Sequence, residues 1–154
     1  MPDAKVFIDT NTLLYLHDRR DGTKAARATQ WFRSLTNVGA ACVNLQVLNE
    51  AAHVLLRKKW YDAPEAVFAV LDDLAELGDA PVTWANIAAA RFLHQRVGFS
   101  WWDCLLLAAA LELGCGHFLS EDLQDGQTIE DTSGRRLTIV DPFAHSPETV
   151  LARK

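Results

Sequence analysis

Four acids stand in this chain where an acid is out of place, and together they suggest divalent-metal chemistry. Asp103, in "GFSWWDCLLLAAALELG" (98–114), sits near the start of a segment whose only other charge between Trp101 and Leu113 is Glu112. A segment apolar on every side is normally a buried helix, and Asp is seldom buried unless something pairs with it. Asp9 closes the apolar run "AKVFID". Glu50, in "VNLQVLNEAAHVLL", neighbours Val47 and Val54 at helical spacing, which sets its side chain beside an apolar stripe. Asp122 follows the apolar "HFL" in "HFLSEDLQDG".

Each acid alone has a plain structural use. Ser100 and Asp103 have S-x-x-D spacing, which resembles a capping box, and an acid in a first turn favours the helix dipole. Asp9 can cap the next helix, Glu50 can be a solvated helix residue, and Asp122 can serve a turn. Gathered without a counter-charge, however, four carboxylates raise one another's pKa. A divalent cation removes that conflict, and Mg²⁺ takes hard oxygen ligands, a few carboxylates and substrate phosphates. Zinc is a poorer candidate. The five His residues, at 17, 53, 94, 117 and 145, lack ligand spacing, and Cys42, Cys104 and Cys115 form no C-x-x-C.

Other chemistries find no motif. The chain has neither G-x-x-x-x-G-K-[ST] nor G-x-G-x-x-G to cradle a nucleotide, and no G-x-S-x-G nucleophile turn. "FIDTNTL" invites comparison with phosphotransferases of the haloacid dehalogenase kind, whose first strand ends in D-x-D. Here Asn11 replaces the second acid, and a carboxamide cannot act as the general acid.

The acids need elements to position them. Short apolar runs at 4–9, 39–45, 80–85, 117–122 and 136–141 read as strands. Helical patterns cover roughly 11–18, 23–36, 45–59, 64–77, 84–97 and 101–113, with Pro64 at a first turn and Gly78 and Gly114 just past helix ends. Strands alternating with helices predict one α/β domain over 1–154, with a parallel sheet of about five strands and helices on both faces. Sites in such sheets form outside the carboxyl ends of the strands. Asp9 and Asp122 fall there, Asp103 falls in the first turn of a buried helix, and Glu50 lies in the helix after the second strand.

The bulk properties narrow the setting. A chain of 154 residues, 49% apolar and 23% charged, fits one globular domain. No run is long enough to cross a bilayer, and the first residues lack the pattern of a signal peptide. The odd number of unpaired Cys residues suggests reduced thiols and a cytoplasmic protein. A net charge of −5 argues mildly against a nucleic-acid partner, but local clusters can override it. Arg19 with Arg20, Arg27, the run Arg57 to Lys59, and Arg135 with Arg136 are candidate phosphate contacts, although such runs are commonly solvated helix faces. Trp101 and Trp102 offer rings for base stacking, though core packing is the commoner use of Trp.

Four segments, "VFIDTNTLLYLHD", "VNLQVLNEAAHVL", "FSWWDCLLLAAALELGC" and "HFLSEDLQDG", resemble in that order the four acidic motifs of the PIN domain, from about residue 4 to 143. The small size resembles the VapC-type toxins of type II toxin–antitoxin pairs. The resemblance implies a three-layer PIN-like sandwich and a Mg²⁺- or Mn²⁺-dependent endoribonuclease. It matches Asp9, Glu50, Asp103 and Asp122 to the four family acids, as metal ligands and catalytic residues. It matches Asn11 and Ser120 to polar residues that orient ligands and waters. Glu121 and Asp125 compete with Asp122 for the fourth place. It further implies an RNA substrate, a cognate antitoxin and a homodimer. The stripe Val67, Val70, Leu71, Leu74 and Leu77 in 63–78 is a candidate dimer face that core packing explains equally well. A silent PIN-like module acting only through partners is the alternative.

Overall fold

A computed structural model describes residues 5–151, so the first residue of the strand expected over 4–9 lies outside it. Twelve elements follow in order: β1 (Lys5–Ile8), α1 (Thr10–Tyr15), α2 (Gly22–Asn37), β2 (Ala41–Cys42), α3 (Leu45–Lys58), α4 (Pro64–Ala75), α5 (Trp84–Val97), α6 (Trp101–Glu112), β3 (Cys115–Leu119), β4 (Thr128–Glu130), β5 (Arg136–Val140) and α7 (Pro147–Leu151). They build one sheet in the order β2-β1-β3-β5-β4. Its first four strands are parallel, and β4 joins β5 antiparallel as an edge.

Register and alternation explain the layers. Phe7 pairs with Phe118 and Ile8 with Leu119 across β1 and β3, so like-numbered neighbours share a face. The Phe7 and Phe118 rings stack at 5.4 Å. Ile8 and Leu119 meet Leu13, Ala28 and Trp31 of α1 and α2 with no room left between them. Helix α6, packed against β3, β5 and α5, is buried along nearly its whole length from Cys104 to Leu111. The segment that looked apolar on every side is thus a central helix of the core, as its composition requires. Trp31 is fully buried, and its indole N–H is shared between the carbonyls of Pro142 at 2.8 Å and His145 at 3.0 Å.

Two strand expectations need correction. Residues 80–85 form no strand: Pro81 has no N–H for a ladder, the Ala80 carbonyl accepts from Leu45 N–H at 3.0 Å, and Thr83 caps α5. The fifth strand is β4 instead, held to β5 at Glu130↔Arg136. The expected strand 39–45 shrinks to Ala41–Cys42, because Asn44 leaves the sheet to cap α3 by accepting from Val47 N–H at 3.1 Å. The α4 stripe also turns inward. Val67 and Leu74 are buried and Val70 and Leu77 pack on the core, whereas Leu71 is half-buried, so the stripe serves the chain's own interior at four of its five positions. Gly78, at φ 149, lies where a Cβ would collide with the Val43 carbonyl, so that close approach demands glycine.

Among the described residues no helix is long and apolar enough to cross a membrane. Cys42, Cys104 and Cys115 are free and buried.

Candidate active site

The chain turns from β1 to β2 on one side and later returns to place β3 on the other, so the order of connection reverses between β1 and β3. In open sheets that reversal opens a crevice at the carboxyl ends of the strands. Asp9 and Asp122 lie just after β1 and β3 there, and charge interactions link Asp122 to Asp9 and to Asp103, and Asp103 to Glu50.

Asp9 directly follows β1 and is the N-cap of α1, its Oδ1 accepting from Thr12 N–H at 2.9 Å. It is buried. Burial pushes its carboxyl from the ordinary 3.8 up to about 6, against bonds from Thr12 and Ser120, with the charge of Asp122 adding to the rise. Ser120, at the end of β3, is itself buried at 1% exposure. Its Oγ also accepts from Asp122 N–H at 3.3 Å, so one hydroxyl serves two of the acids.

Asp103 stands in the first turn of α6. Its backbone N–H donates to Ser100 Oγ at 3.2 Å, and Ser100 O–H donates back to Asp103 Oδ2 at 2.9 Å. The S-x-x-D spacing therefore does make a cap, with Ser100 as the N-cap, and the Asp103 carboxylate also lies within electrostatic reach of Asp122 and Glu50. Desolvation raises its pKa, the Ser100 bond opposes this, and the charges of Asp122 and Glu50 add to the rise.

Glu50 is held at both oxygens. Thr10 Oγ1 donates to Oε2 at 2.6 Å, and Gln46 Nε2 donates to Oε1 at 2.9 Å. The same Gln46 amide reaches the Trp102 carbonyl at 3.3 Å and so ties α3 to the start of α6. Asp122 is exposed on the loop after β3, where Asn11 Nδ2 donates to its Oδ2 at 2.7 Å. Asn11 thus acts as a donor to an acid, where the phosphotransferase comparison needs a proton-bearing acid.

The competing acids are otherwise engaged. Glu121 accepts from Tyr15 O–H at 2.6 Å and from the Lys24 ammonium at 2.7 Å. Asp125 pairs with His145 Nε2 at 2.7 Å and accepts from Asp141 N–H at 2.9 Å, and these bonds hold its carboxyl below the ordinary range. None of Asp9, Glu50, Asp103 and Asp122 forms an ion pair among the described residues.

A crevice with four unpaired carboxylates, one of them buried, attracts a cation. Among the described residues no three His, Cys, Asp or Glu side chains stand so that they hold one ion directly. The donor set still suits a hydrated Mg²⁺ or Mn²⁺, because such ions need one or two carboxylates and complete their shells with water and phosphate oxygens. Zinc, which prefers His and Cys, finds no such set here.

Sequence reasoning missed Thr10 and Gln46. Gln46 lies one helical turn before Glu50, and that i, i+4 spacing was the available signal. Thr10 offered only its place beside Asp9. The expected rings diverge: Trp101 packs on the core, whereas the Trp102 side chain is 64% exposed. Of the basic clusters, Arg135 and Arg136 are spent on Asp131 at 2.7 Å and Glu130 at 3.4 Å in the β4–β5 hairpin.

Comparison with known proteins identifies the family and the fold. The PIN domain family matches residues 6–124. Among solved structures, a toxin–antitoxin complex from Klebsiella pneumoniae superposes with a TM-score of 0.62 at 16% identity, covering 90% of this chain and 98% of that one. Mycobacterium tuberculosis VapC20, described as a sarcin–ricin-loop-cleaving toxin, gives 0.58 at 20% identity, covering 74% and 87%. DNA-bound VapBC from Salmonella typhimurium gives 0.56 at 18% identity, covering 88% and 98%. At these identities the likeness is one of fold. No curated protein sequence matches the chain.

Proposed function

Because this chain belongs to the PIN domain family, we propose that it is a divalent-metal-dependent endoribonuclease and the toxin of a toxin–antitoxin pair. The observation that carries the reading is the meeting of Asp9, Glu50, Asp103 and Asp122, none of them in an ion pair among the described residues, at the reversal point between β1 and β3. Its fold likeness to toxin–antitoxin complexes supports the biological setting.

In this reading Asp9, Glu50 and Asp103 would hold one or two Mg²⁺ or Mn²⁺, with Asp122 joining directly or through water, and with no more than two of the four carboxylates touching any one ion and the others acting through its bound waters. When bound, such an ion lowers the pKa of a water and offsets charge on a phosphodiester under in-line attack. The chain's own residues supply the positioning. Thr10 and Gln46 fix the plane of the Glu50 carboxylate, Ser100 fixes that of Asp103, and Asn11 fixes that of Asp122. Each carboxylate keeps spare acceptor capacity beside these bonds, since it has about four acceptor sites. Such supporting bonds orient ligands and commonly matter nearly as much as the ligands. The partners are an RNA substrate and a cognate antitoxin. A homodimer belongs to the same reading.

The test is incubation of the antitoxin-free protein with total RNA, with Mg²⁺ or Mn²⁺ or with a chelator, beside Asp103→Asn. Discrete fragments that need the ion and vanish in the variant are expected. A folded wild-type protein that cuts nothing under either ion overturns the reading.

A further inference from the structure

A cavity of about 220 Å³ lies between the loop 78–83, the start of α3 and the end of α6, with Asn44, Asn86 and Glu112 on its polar side and Pro81, Ala109 and Leu113 on its apolar side. It stands apart from the acidic crevice. Glu112 is nine residues along α6 from Asp103, roughly 14 Å of helix, and none of the four crevice acids lines the cavity. Local sequence makes the space. Gly78 lets the loop pass close to the Val43 carbonyl, and the Ala80 carbonyl then fixes the loop on Leu45 N–H at 3.0 Å. Two polar side chains are buried here. Asn44 is 1% exposed, and its Oδ1 is used on Val47 N–H, but its Nδ2 has no partner among the described residues. Asn86 is 4% exposed, accepts from Thr83 N–H at 3.0 Å and donates through Nδ2 to Glu112 Oε2. That bond orients the Glu112 carboxylate and leaves it spare acceptor sites. Glu112 forms no ion pair among the described residues.

These groups select a ligand by elimination. Among the described residues no Lys, Arg or His lines the cavity, and its one charge is negative, so phosphates and carboxylates find no counter-charge there. A buried N–H without an acceptor has lost the bonds it made to water, and a ligand oxygen at Asn44 Nδ2 restores one. Glu112 can only accept, so the same ligand must also bring an N–H. A carbonyl and an N–H on one small group are the pattern of an amide or a lactam. The volume lies below that of sites for drug-sized ligands, which limits the body to a single ring or a short chain resting on Pro81, Ala109 and Leu113. We propose that this cavity is a binding site for a small uncharged amide or lactam, its carbonyl accepting from Asn44 and its N–H donating to Glu112. Asn44 begins α3 and Glu112 ends α6, the helices that carry Glu50 and Asp103, so the bound ligand ties those two helices together outside the crevice. The site does not depend on the nuclease reading.

The test is titration of the full chain with benzamide, which carries the required pair on a single ring, followed by two-dimensional proton–nitrogen NMR. Benzoate, of the same shape but charged and without an N–H, is the control. Benzamide is expected to give saturable shifts in the Asn44 side-chain amide and in the backbone signals of 80–86 and 109–113, and benzoate none. Asn44→Ser keeps an acceptor for Val47 N–H, and so the cap, but removes the donor. It is expected to weaken benzamide about 2- to 10-fold, the range for one neutral hydrogen bond. Glu112→Gln, at an exposed position, keeps the acceptor for Asn86 and removes the charge, and is expected to weaken benzamide about 10-fold or more. Wild-type affinity in both variants, each with an otherwise native spectrum, overturns the site, and so does equal binding of benzoate. A titration with no saturable shift at these residues also overturns it, and leaves a cavity that holds only water.

Discussion

Replacing Asp9 by Asn should stabilise the metal-free protein by an amount that depends on pH. The carboxyl rises from 3.8 to about 6 on folding because it is buried. Below the lower value both folded and unfolded chains hold the proton, and burial costs nothing. Between the two values the unfolded chain releases its proton while the folded chain keeps it, and stability falls by about 1.4 kcal/mol per pH unit. Above the upper value the penalty is constant at about 3 kcal/mol. Asn keeps an acceptor for Thr12 N–H and so preserves the cap, but carries no charge to bury. The gain of Asp9→Asn over wild type should therefore be near zero at about pH 3.8 and approach 3 kcal/mol by pH 8, about 6–12 °C in Tm for a domain of this size. Thermal unfolding in chelator, followed by circular dichroism at half-unit steps of pH, measures this difference, and the titration of distant groups cancels between the two proteins. Adding Mg²⁺ should close the gap from the wild-type side, since an ion that binds only the folded state stabilises it. A difference that stays flat across this range, or an Asn variant less stable than wild type at pH 8, would refute the argument that burial penalises this carboxylate.

Two further outcomes follow from the bonds around the crevice. Asp122→Asn should abolish ion-dependent cleavage, whereas Glu121→Gln, which disturbs only the contacts to Lys24 and Tyr15, should keep most of it; equal losses in the two variants would show that the loop rather than the Asp122 charge matters. Thr10→Val, which removes the hydroxyl bonded to Glu50, should cost about 10- to 100-fold in ion affinity or in cleavage rate, read as a rightward shift in the Mg²⁺ activation curve.

Two of the acids were legible in the sequence because they contradict their surroundings. Asp103 interrupts an apolar helix and Asp9 ends an apolar strand, and a chain does not spend such positions on charge without return. The elements that carry them were legible for the same reason, since α3 and α6 announce themselves by periodicity and by Asn44 and Ser100 at their starts. What stayed hidden depends on approach between distant segments. Nothing local to Thr10 says that it will meet Glu50, 40 residues on. Nothing local to Glu121 says that Lys24 will claim it and leave Asp122 to the crevice. Strand β4 escaped because three residues, one of them buried, are too few to show an alternation, and 80–85 misled because its apolar character serves a loop that passes over the start of α3.

The acids differ in what they stand on. Asp9, Glu50 and Asp103 ride on the starts of α1, α3 and α6, and α6 is enclosed along most of its length, so none of these shifts without disturbing the interior. Asp122 alone stands on an exposed loop, steadied by Asn11 and Ser120. The crevice therefore has a fixed jaw and one compliant jaw. Variation that retunes its fit without disturbing the interior has most room in the loop 121–125, so related chains with different targets should diverge there first.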